Sequence, residues 1–295
     1  MKKKYQTNII LSFLITILTL YIINSKLITS SILEYTNLFI TKLFPTSFLL
    51  FTFSSLLINF NFIENLSKIT KKNSSVFYIT IMSLISGFPS GTKYTSDLYN
   101  KKYISKETAN NILTYTHFPN PLFILGPVSN LIQSQILSIK LLLSIILANT
   151  ITAIIFHKKD QSSIILNNTP LTFSKALNNS ILSALKTQIL IYGTSLFFYL
   201  ISCLITTYLI LPPFFYIITN GIFDLTKGIF SAALLQNNIT SSYLILTFIS
   251  FGSLSIHIQI KSILTDTSLS YKYFCIGRII STIISIIIFS LLISF

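Results

Sequence analysis

A chain of 295 residues that is 52% hydrophobic and only 9% charged cannot cover a water-facing surface, because soluble domains carry about 25% charged residues. That excludes a soluble enzyme or binding domain and makes lipid the expected solvent. The 21 Lys and Arg against 7 Asp and Glu fall in short tracts between apolar runs, which is the pattern of positive-inside loops and not of a nucleic-acid-binding face.

A membrane-spanning helix takes about 20 mostly apolar residues. The run 9–23 follows Lys2, Lys3 and Lys4 and is not followed by a small-x-small cleavage site, so it is expected to remain as a first helix with the N-terminus cytoplasmic. Residues 27–42 are mixed in polarity and are expected to lie at the membrane interface; 43–60 is the second span. Residues 76–86 form a short apolar half-run that stops at Gly87-Phe88-Pro89-Ser90-Gly91 and resumes as the more polar 92–100. Basic pairs on both flanks, Lys71-Lys72 and Lys101-Lys102, predict that the chain enters and leaves on one side, as a re-entrant hairpin. Residues 108–131 carry His117-Phe118-Pro119-Asn120-Pro121. Two prolines one residue apart cannot continue a helix, so a broken membrane helix is expected there. The run 137–156 is a clean span closed by His157, Lys158, Lys159 and Asp160, and 181–208 is another. Residues 214–235 contain Asn220-Gly221 and Asp224-Leu225-Thr226-Lys227-Gly228. The run 243–264 breaks at Gly252-Ser253-Leu254-Ser255 before His257 and Gln259, and 274–295 is the last span. The basic loops at 64–75, 101–107 and 157–175 are placed on the cytoplasmic side with the N-terminus.

The expected fold is therefore an all-α polytopic membrane protein, one transmembrane domain over 1–295, with spanning helices and two re-entrant or broken-helix hairpins. A possible internal repeat pairs Gly87-x-x-Ser90 with Gly252-x-x-Ser255, in halves of about 1–157 and 175–295. Matched interrupted segments in two halves point to a transporter's binding site. Backbone that stops being helical at membrane depth survives only where protein or a polar cavity satisfies it. A half-helix beginning at Ser90, Gly91 and Thr92 would present its positive end to such a cavity. Lys93 beside it is either a site residue or a snorkelling one. Asp224 is expected to hold Lys227 or a cation, or to form an interfacial pair. Arg278 faces either the cavity or the headgroups, and His257 is either a site residue or a packed one. Cys203 and Cys275 have no metal spacing. No metal, no cofactor and no catalytic constellation is expected, so an enzyme is not.

These segments resemble, in order and spacing, the YlbJ (SpoVV) family of sporulation integral membrane proteins from endospore-forming Firmicutes. The strings that carry the likeness are Gly87-Phe88-Pro89-Ser90-Gly91-Thr92-Lys93, Asn120-Pro121-Leu122-Phe123, Asp224-x-Thr226-x-Gly228, Gly252-x-Leu254-Ser255-x-His257-x-Gln259, and Arg278. That family falls in the nucleoside-recognition or gate-domain group, akin to concentrative nucleoside transporters; Asp224 stands where the family is expected to prefer Glu. The resemblance implies a role in spore formation, moving dipicolinic acid across the mother-cell-derived outer forespore membrane. On that view Ser90, Gly91, Thr92 and Lys93 would receive one carboxylate of a small anionic substrate, and Arg278 with His257 or Gln259 the other. Thr226 and Ser255 would complete the set, Asn120 would pair freed backbone, and Gly87, Pro89, Pro119, Pro121, Gly228 and Gly252 would make the breaks. Two other readings stay open: a nucleoside or cation permease, and a non-transporting scaffold for other sporulation membrane proteins.

Overall fold

The computed structural model describes residues 2–70, 74–156 and 171–294, with side chains described throughout these except at 2–6, 46 and 70. The Lys71-Lys72 flank and the 157–160 run lie outside the described residues. Among the described residues the regular structure is helical, with no strand, as a chain must be when no water is present to bond its peptide groups.

The first part comprises α1 (Lys2–Ile23), α2 (Ser25–Leu38), a π-helical turn (Phe39–Leu43), α3 (Phe44–Asn59) and α4 (Phe62–Thr70). Next come α5 (Ser75–Ser86), α6 (Ser90–Asn100), α7 (Lys106–Leu113), α8 (Pro121–Phe123), a second π turn (Ile124–Val128), α9 (Ser129–Ile132) and α10 (Gln135–Ile155). The rest is α11 (Phe173–Tyr208), α12 (Pro213–Phe223), α13 (Leu225–Ala233), α14 (Asn238–Phe251), α15 (Leu254–Leu264) and α16 (Tyr271–Ser294). Four stretches are long and apolar enough to cross a membrane, namely Gln135–Ile155, Phe173–Tyr208, Asn238–Leu264 and Tyr271–Ser294; two bent pairs bring the total to as many as 6. Side chains such as Ile22, Ile136, Ile154 and Ile189 stand bare on the outside, the surface that lipid covers. The protein is a multi-pass α-helical membrane protein.

The 36-residue helix α11, about 54 Å long at 1.5 Å per residue, sets the two ends of the molecule. Near its start Asn59 Nδ2 donates to Ser180 Oγ (3.1 Å) and Lys101 Nζ donates to Asn59 Oδ1 (3.0 Å). This is the basic end, where Lys101, Lys102 and Lys106 gather. At its finish Asn24 Nδ2 donates to the Tyr208 hydroxyl (2.7 Å), which marks the opposite end.

Against that ruler the chain traces one pattern twice. Helices α5 and α6 fold back on each other: Tyr78 and Tyr94 bring their rings to 6.3 Å, and Ser86 Oγ bonds the Tyr94 hydroxyl at 2.9 Å. This hairpin rises from the basic end. Helices α12 and α13 likewise fold back, with Asn220 Nδ2 donating to Ser231 Oγ at 2.8 Å and Gly228 seated on the Gly221 backbone. This hairpin starts where α11 finishes, so it enters from the opposite end. After the first hairpin come the broken span α7–α9 and the span α10. After the second come the broken span α14–α15 and the span α16. Tyr243, early in α14, meets Ser290, late in α16, at 2.8 Å. At the basic end, the turn after α15 is tied down by Ser270 N donating to Asn110 Oδ1 (2.9 Å). The order span, hairpin, broken span, span therefore occurs with α3 at its head and again, inverted, with α11 at its head.

Two expectations are corrected here. The second hairpin lies at 213–233 and not at 243–264, which belongs to one broken 27-residue span, Asn238–Leu264. The partner of the Gly87 tip in the repeat is accordingly the Asp224 tip, and Gly252 answers to the break at 114–120. Gly87 (φ 77°, ψ 173°) and Gly252 (φ 88°, ψ 154°) share a left-handed conformation. A glycine of that kind ends a helix whether the chain then reverses or continues, so the shared motif carries no register. Second, 27–42 does not lie at the interface. Ile28, Tyr35 and Phe39 pack against Tyr199, Leu200, Cys203 and Leu204 of α11, because the apolar residues of α2 recur on one helical face and that face meets α11 inside the bundle.

Candidate functional site

The four interruptions meet. Between them lies a cavity of about 220 Å³. The first hairpin lines it with Ser86, Phe88 and Pro89, and the first broken span with Asn120, Leu122, Phe123 and Pro127. The second hairpin contributes Asp224, Leu225 and Thr226, and the second broken span Ser255, Ile256 and Gln259. Tyr35, Phe39, Lys42 and Ser47 close it from the α2–α3 side, and Ile191 and Ser195 from α11. Four helical runs, starting at Ser90, Pro121, Leu225 and Leu254, thus begin at its wall and direct their positive dipole ends toward it. The result is a mostly apolar cavity with a few polar groups in its wall, the usual form of a small-molecule site.

The caps at these starts are local. Asn120 Oδ1 accepts from Leu122 N at 2.8 Å, and Asp224 Oδ1 accepts from Lys227 N at 3.1 Å. Ser255 Oγ donates to Asp224 Oδ2 at 3.3 Å, tying the second broken span to the second hairpin tip. Gln259 Nε2 donates to Ser195 Oγ at 2.8 Å. Asp224 is 1% exposed and is the acid among the cavity-lining residues.

The carbonyls freed by the breaks are held by a second set of side chains, outside the cavity. Arg278 is fully buried. Its guanidinium donates to Ser250 O (3.2 Å), Thr114 O (2.9 Å) and Asn149 Oδ1 (3.1 Å). Asn149 Nδ2 donates to His117 O at 3.0 Å. His257 places Nε2 3.1 Å from Phe251 O and Nδ1 2.5 Å from the Tyr271 hydroxyl. Each broken span thus has its unpaired peptide groups bonded from a neighbouring helix, as lipid demands. The extended segment around 114–120 is approached so closely that a Cβ at Gly91 or Gly277 would sit on the Thr116 or Thr114 carbonyl. Gly91→Val and Gly277→Val are each expected to cut the yield of detergent-extracted, monodisperse protein several-fold, read by fluorescence size-exclusion chromatography, since overpacking against backbone costs about 1–3 kcal/mol or more.

The sequence-predicted residues therefore divide. Pro89, Asn120, Asp224, Thr226, Ser255 and Gln259 line the cavity. Ser90, Gly91 and Thr92, which follow the lining residue Pro89, are buried and are not among the lining residues. Lys93 turns toward the basic end, bonding Asp97 Oδ2 at 2.8 Å and Ser183 Oγ at 2.9 Å. Arg278 and His257 serve the broken backbone. Gly87, Pro119, Pro121 and Gly252 sit at the breaks, while Gly228 packs the two legs of the second hairpin together. Lys227 does not pair with Asp224 through its side chain: its Nζ points to Cys203 Sγ at 3.0 Å and lies 5.3 Å from the centre of the Tyr199 ring. Sequence reasoning missed Tyr35, Phe39, Lys42, Phe88, Ser195 and the rest of the α2–α3 and α11 wall. Lys42 carried a usable signal, being a lysine set between two apolar runs and followed by Pro45. The π turn that holds it is the kind of helix irregularity that accompanies functional sites.

The fold and the site together define a polytopic membrane protein with two opposed hairpins and two broken spans around a central cavity. By sequence the chain is 23% identical over 259 residues to the sporulation integral membrane protein YlbJ of Bacillus subtilis (strain 168), an alignment that covers 73% of this chain and 63% of the relative. The matched stretch thus falls short of two thirds of that relative's length. No protein-family model and no solved structure matches the chain. The chain resembles a sporulation protein that resides in a membrane.

Proposed function

We propose that this protein is a sporulation membrane permease for a small planar carboxylate, with dipicolinate as its substrate. The reading rests on one observation: two hairpins entering from opposite ends and two broken spans converge on one amphipathic cavity toward which four helix N-termini point. Phe39, Phe88 and Phe123 among the lining residues suit a flat aromatic body. Asn120, Ser255 and Gln259 offer polar groups in the cavity wall, and the helix dipoles favour an anion. The likeness to YlbJ supports the sporulation setting, and the family resemblance supports dipicolinate and the outer forespore membrane. The basic end, with Lys101, Lys102 and Lys106, is assigned to the cytoplasm of the mother cell, together with the N-terminus. The protein so placed binds and moves its substrate without chemistry.

The test is the dipicolinate content of spores from a strain lacking this protein, paired with uptake of radiolabelled dipicolinate into proteoliposomes carrying the purified full chain. Dipicolinate-poor spores and saturable uptake are expected. Normal spores together with inert proteoliposomes would refute the reading.

A second reading, a nucleoside permease, is favoured by the carboxylate of Asp224 and the amides of Asn120 and Gln259 in the cavity with Lys93 and Arg278 outside it. Competition of the same uptake by uridine or adenosine, with no effect of excess dipicolinate, would establish it instead.

A further inference from the structure

Two more cavities adjoin the central one. A vestibule of about 660 Å³ lies between α2, the last turns of α11 and the α12–α13 hairpin, toward the end opposite the basic loops. Thr206, Thr207 and Gln133 are among its walls. A connecting cavity of about 280 Å³ shares Lys42, Phe123, Pro127 and Thr226 with the central site, and Glu34, Leu38, Leu131 and Phe230 with the vestibule. Tyr35, 1% exposed, forms the partition that the vestibule and the central cavity have in common. The three spaces therefore follow one another without an intervening helix.

Each end of this series holds a lysine with no carboxylate partner. Among the described residues the ion pair is Lys93 with Asp97; neither Lys227 nor Lys42 has an acid within salt-bridge distance. Lys227 is half-buried in the vestibule wall, against Cys203 and Tyr199. Lys42 is exposed to both the connecting and the central cavities from its π turn. Acids share these walls, Glu34 with Lys227 in the vestibule and with Lys42 in the connecting cavity, and Asp224 with Lys42 in the central one. Neither lysine is held in an ion pair, however, so each ammonium is free to attract a mobile anion. Glu34 is the acid on the vestibule wall and lies beside Tyr199.

We propose that the vestibule, the connecting cavity and the central cavity form one anion path past Tyr35, in which Lys227 is the outer counter-charge and Lys42 the inner one. The vestibule is thereby an outer binding station for a small carboxylate, separate from the central site. The assignment of Lys42 to substrate rests on the permease reading; the anion selectivity of the vestibule does not.

Native Cys203 provides the probe, because it lies in the vestibule wall. In the full chain with Cys275→Ser, reconstituted in liposomes, Cys203 is reacted with an anionic methanethiosulfonate (ethylsulfonate) or a cationic one (ethyltrimethylammonium). Each rate is divided by that reagent's rate with a small free thiol. The anionic reagent is expected to be favoured by about tenfold at low salt. Lys227→Gln is expected to bring that preference to about one, and Glu34→Gln to increase it. Lys42→Gln leaves the labelling preference intact but lowers dipicolinate uptake about tenfold through KM, with Lys42→Arg restoring much of it. Equal or cationic preference, a ratio that Lys227→Gln does not change, or no labelling by either reagent overturns the vestibule station. Unchanged uptake in Lys42→Gln overturns the inner assignment. Anionic preference in a wild type that neither binds nor takes up dipicolinate leaves the path standing and removes the permease reading instead.

Discussion

Arg278→Met is expected to eliminate most of the folded protein. The guanidinium is fully buried and donates to the Thr114 and Ser250 carbonyls and to Asn149 Oδ1, joining both broken spans to α16. Met fills similar space but donates nothing, so the Thr114 and Ser250 carbonyls are left dry, while Asn149 Oδ1 keeps the Ser281 hydroxyl at 2.9 Å. A buried acceptor that loses its partner costs about 1–3 kcal/mol. Two such losses, together about 2–6 kcal/mol, take up a large share of the whole stability of a typical protein, about 5–15 kcal/mol. Arg278→Lys should rescue little, because one ammonium cannot reach two carbonyls in the fork geometry of a guanidinium. The measurement is the monodisperse fraction and the melting temperature in detergent. A normal melting temperature with dipicolinate binding selectively lost would instead make Arg278 a substrate ligand, the role that the family resemblance implies. Lys93→Ala is the control: its ion pair with Asp97 lies toward the basic end, outside the cavity, and dipicolinate KM should stay unchanged because no binding contact is removed.

The second large effect is expected at Asp224. Asparagine at 224 can still accept from Lys227 N with Oδ1 and can donate from Nδ2 to Ser255 Oγ, reversing that bond, so the α13 cap and the hairpin tip remain. What disappears is a negative charge in the wall of a cavity of about 220 Å³. Two like charges about 6 Å apart, at an effective dielectric constant of about 20, repel by about 2–3 kcal/mol. Asp224→Asn should therefore tighten dipicolinate binding by about tenfold or more in equilibrium dialysis, with an unchanged melting temperature. Asp224→Ala removes the cap as well and should lose about 1 kcal/mol of stability. If Asp224→Asn abolishes binding, the carboxylate is itself a ligand, as it would be for a nucleoside that donates hydrogen bonds to it.

The part of the central cavity's wall that stands at helix starts was legible one residue at a time. Pro89, Asn120, Asp224 and Ser255 stand at helix starts, and helix starts are announced by proline, by capping side chains and by the glycines that end the preceding helix. Charge was the misleading guide. Lys93, His257 and Arg278 are the polar residues closest to the motifs, yet each bonds a group outside the cavity. A broken helix exposes carbonyls as well as N–H groups, and the carbonyls need cationic or N–H donors from somewhere. Lys42 and Tyr35 went unread because α2 looks like an interfacial segment until α11 is present to bury one of its faces.

By itself the amino-acid sequence determined the solvent, the helical class, the membrane runs and the positions of all four interruptions, because lipid forbids charge and unpaired peptide groups and proline and glycine stop a helix wherever they fall. Only the tertiary structure decided which interruptions reverse the chain, that the two hairpins approach from opposite ends, and which basic side chains face the cavity and which the backbone. Those outcomes depend on which helix lies beside which, and a local run of residues does not encode its distant neighbour.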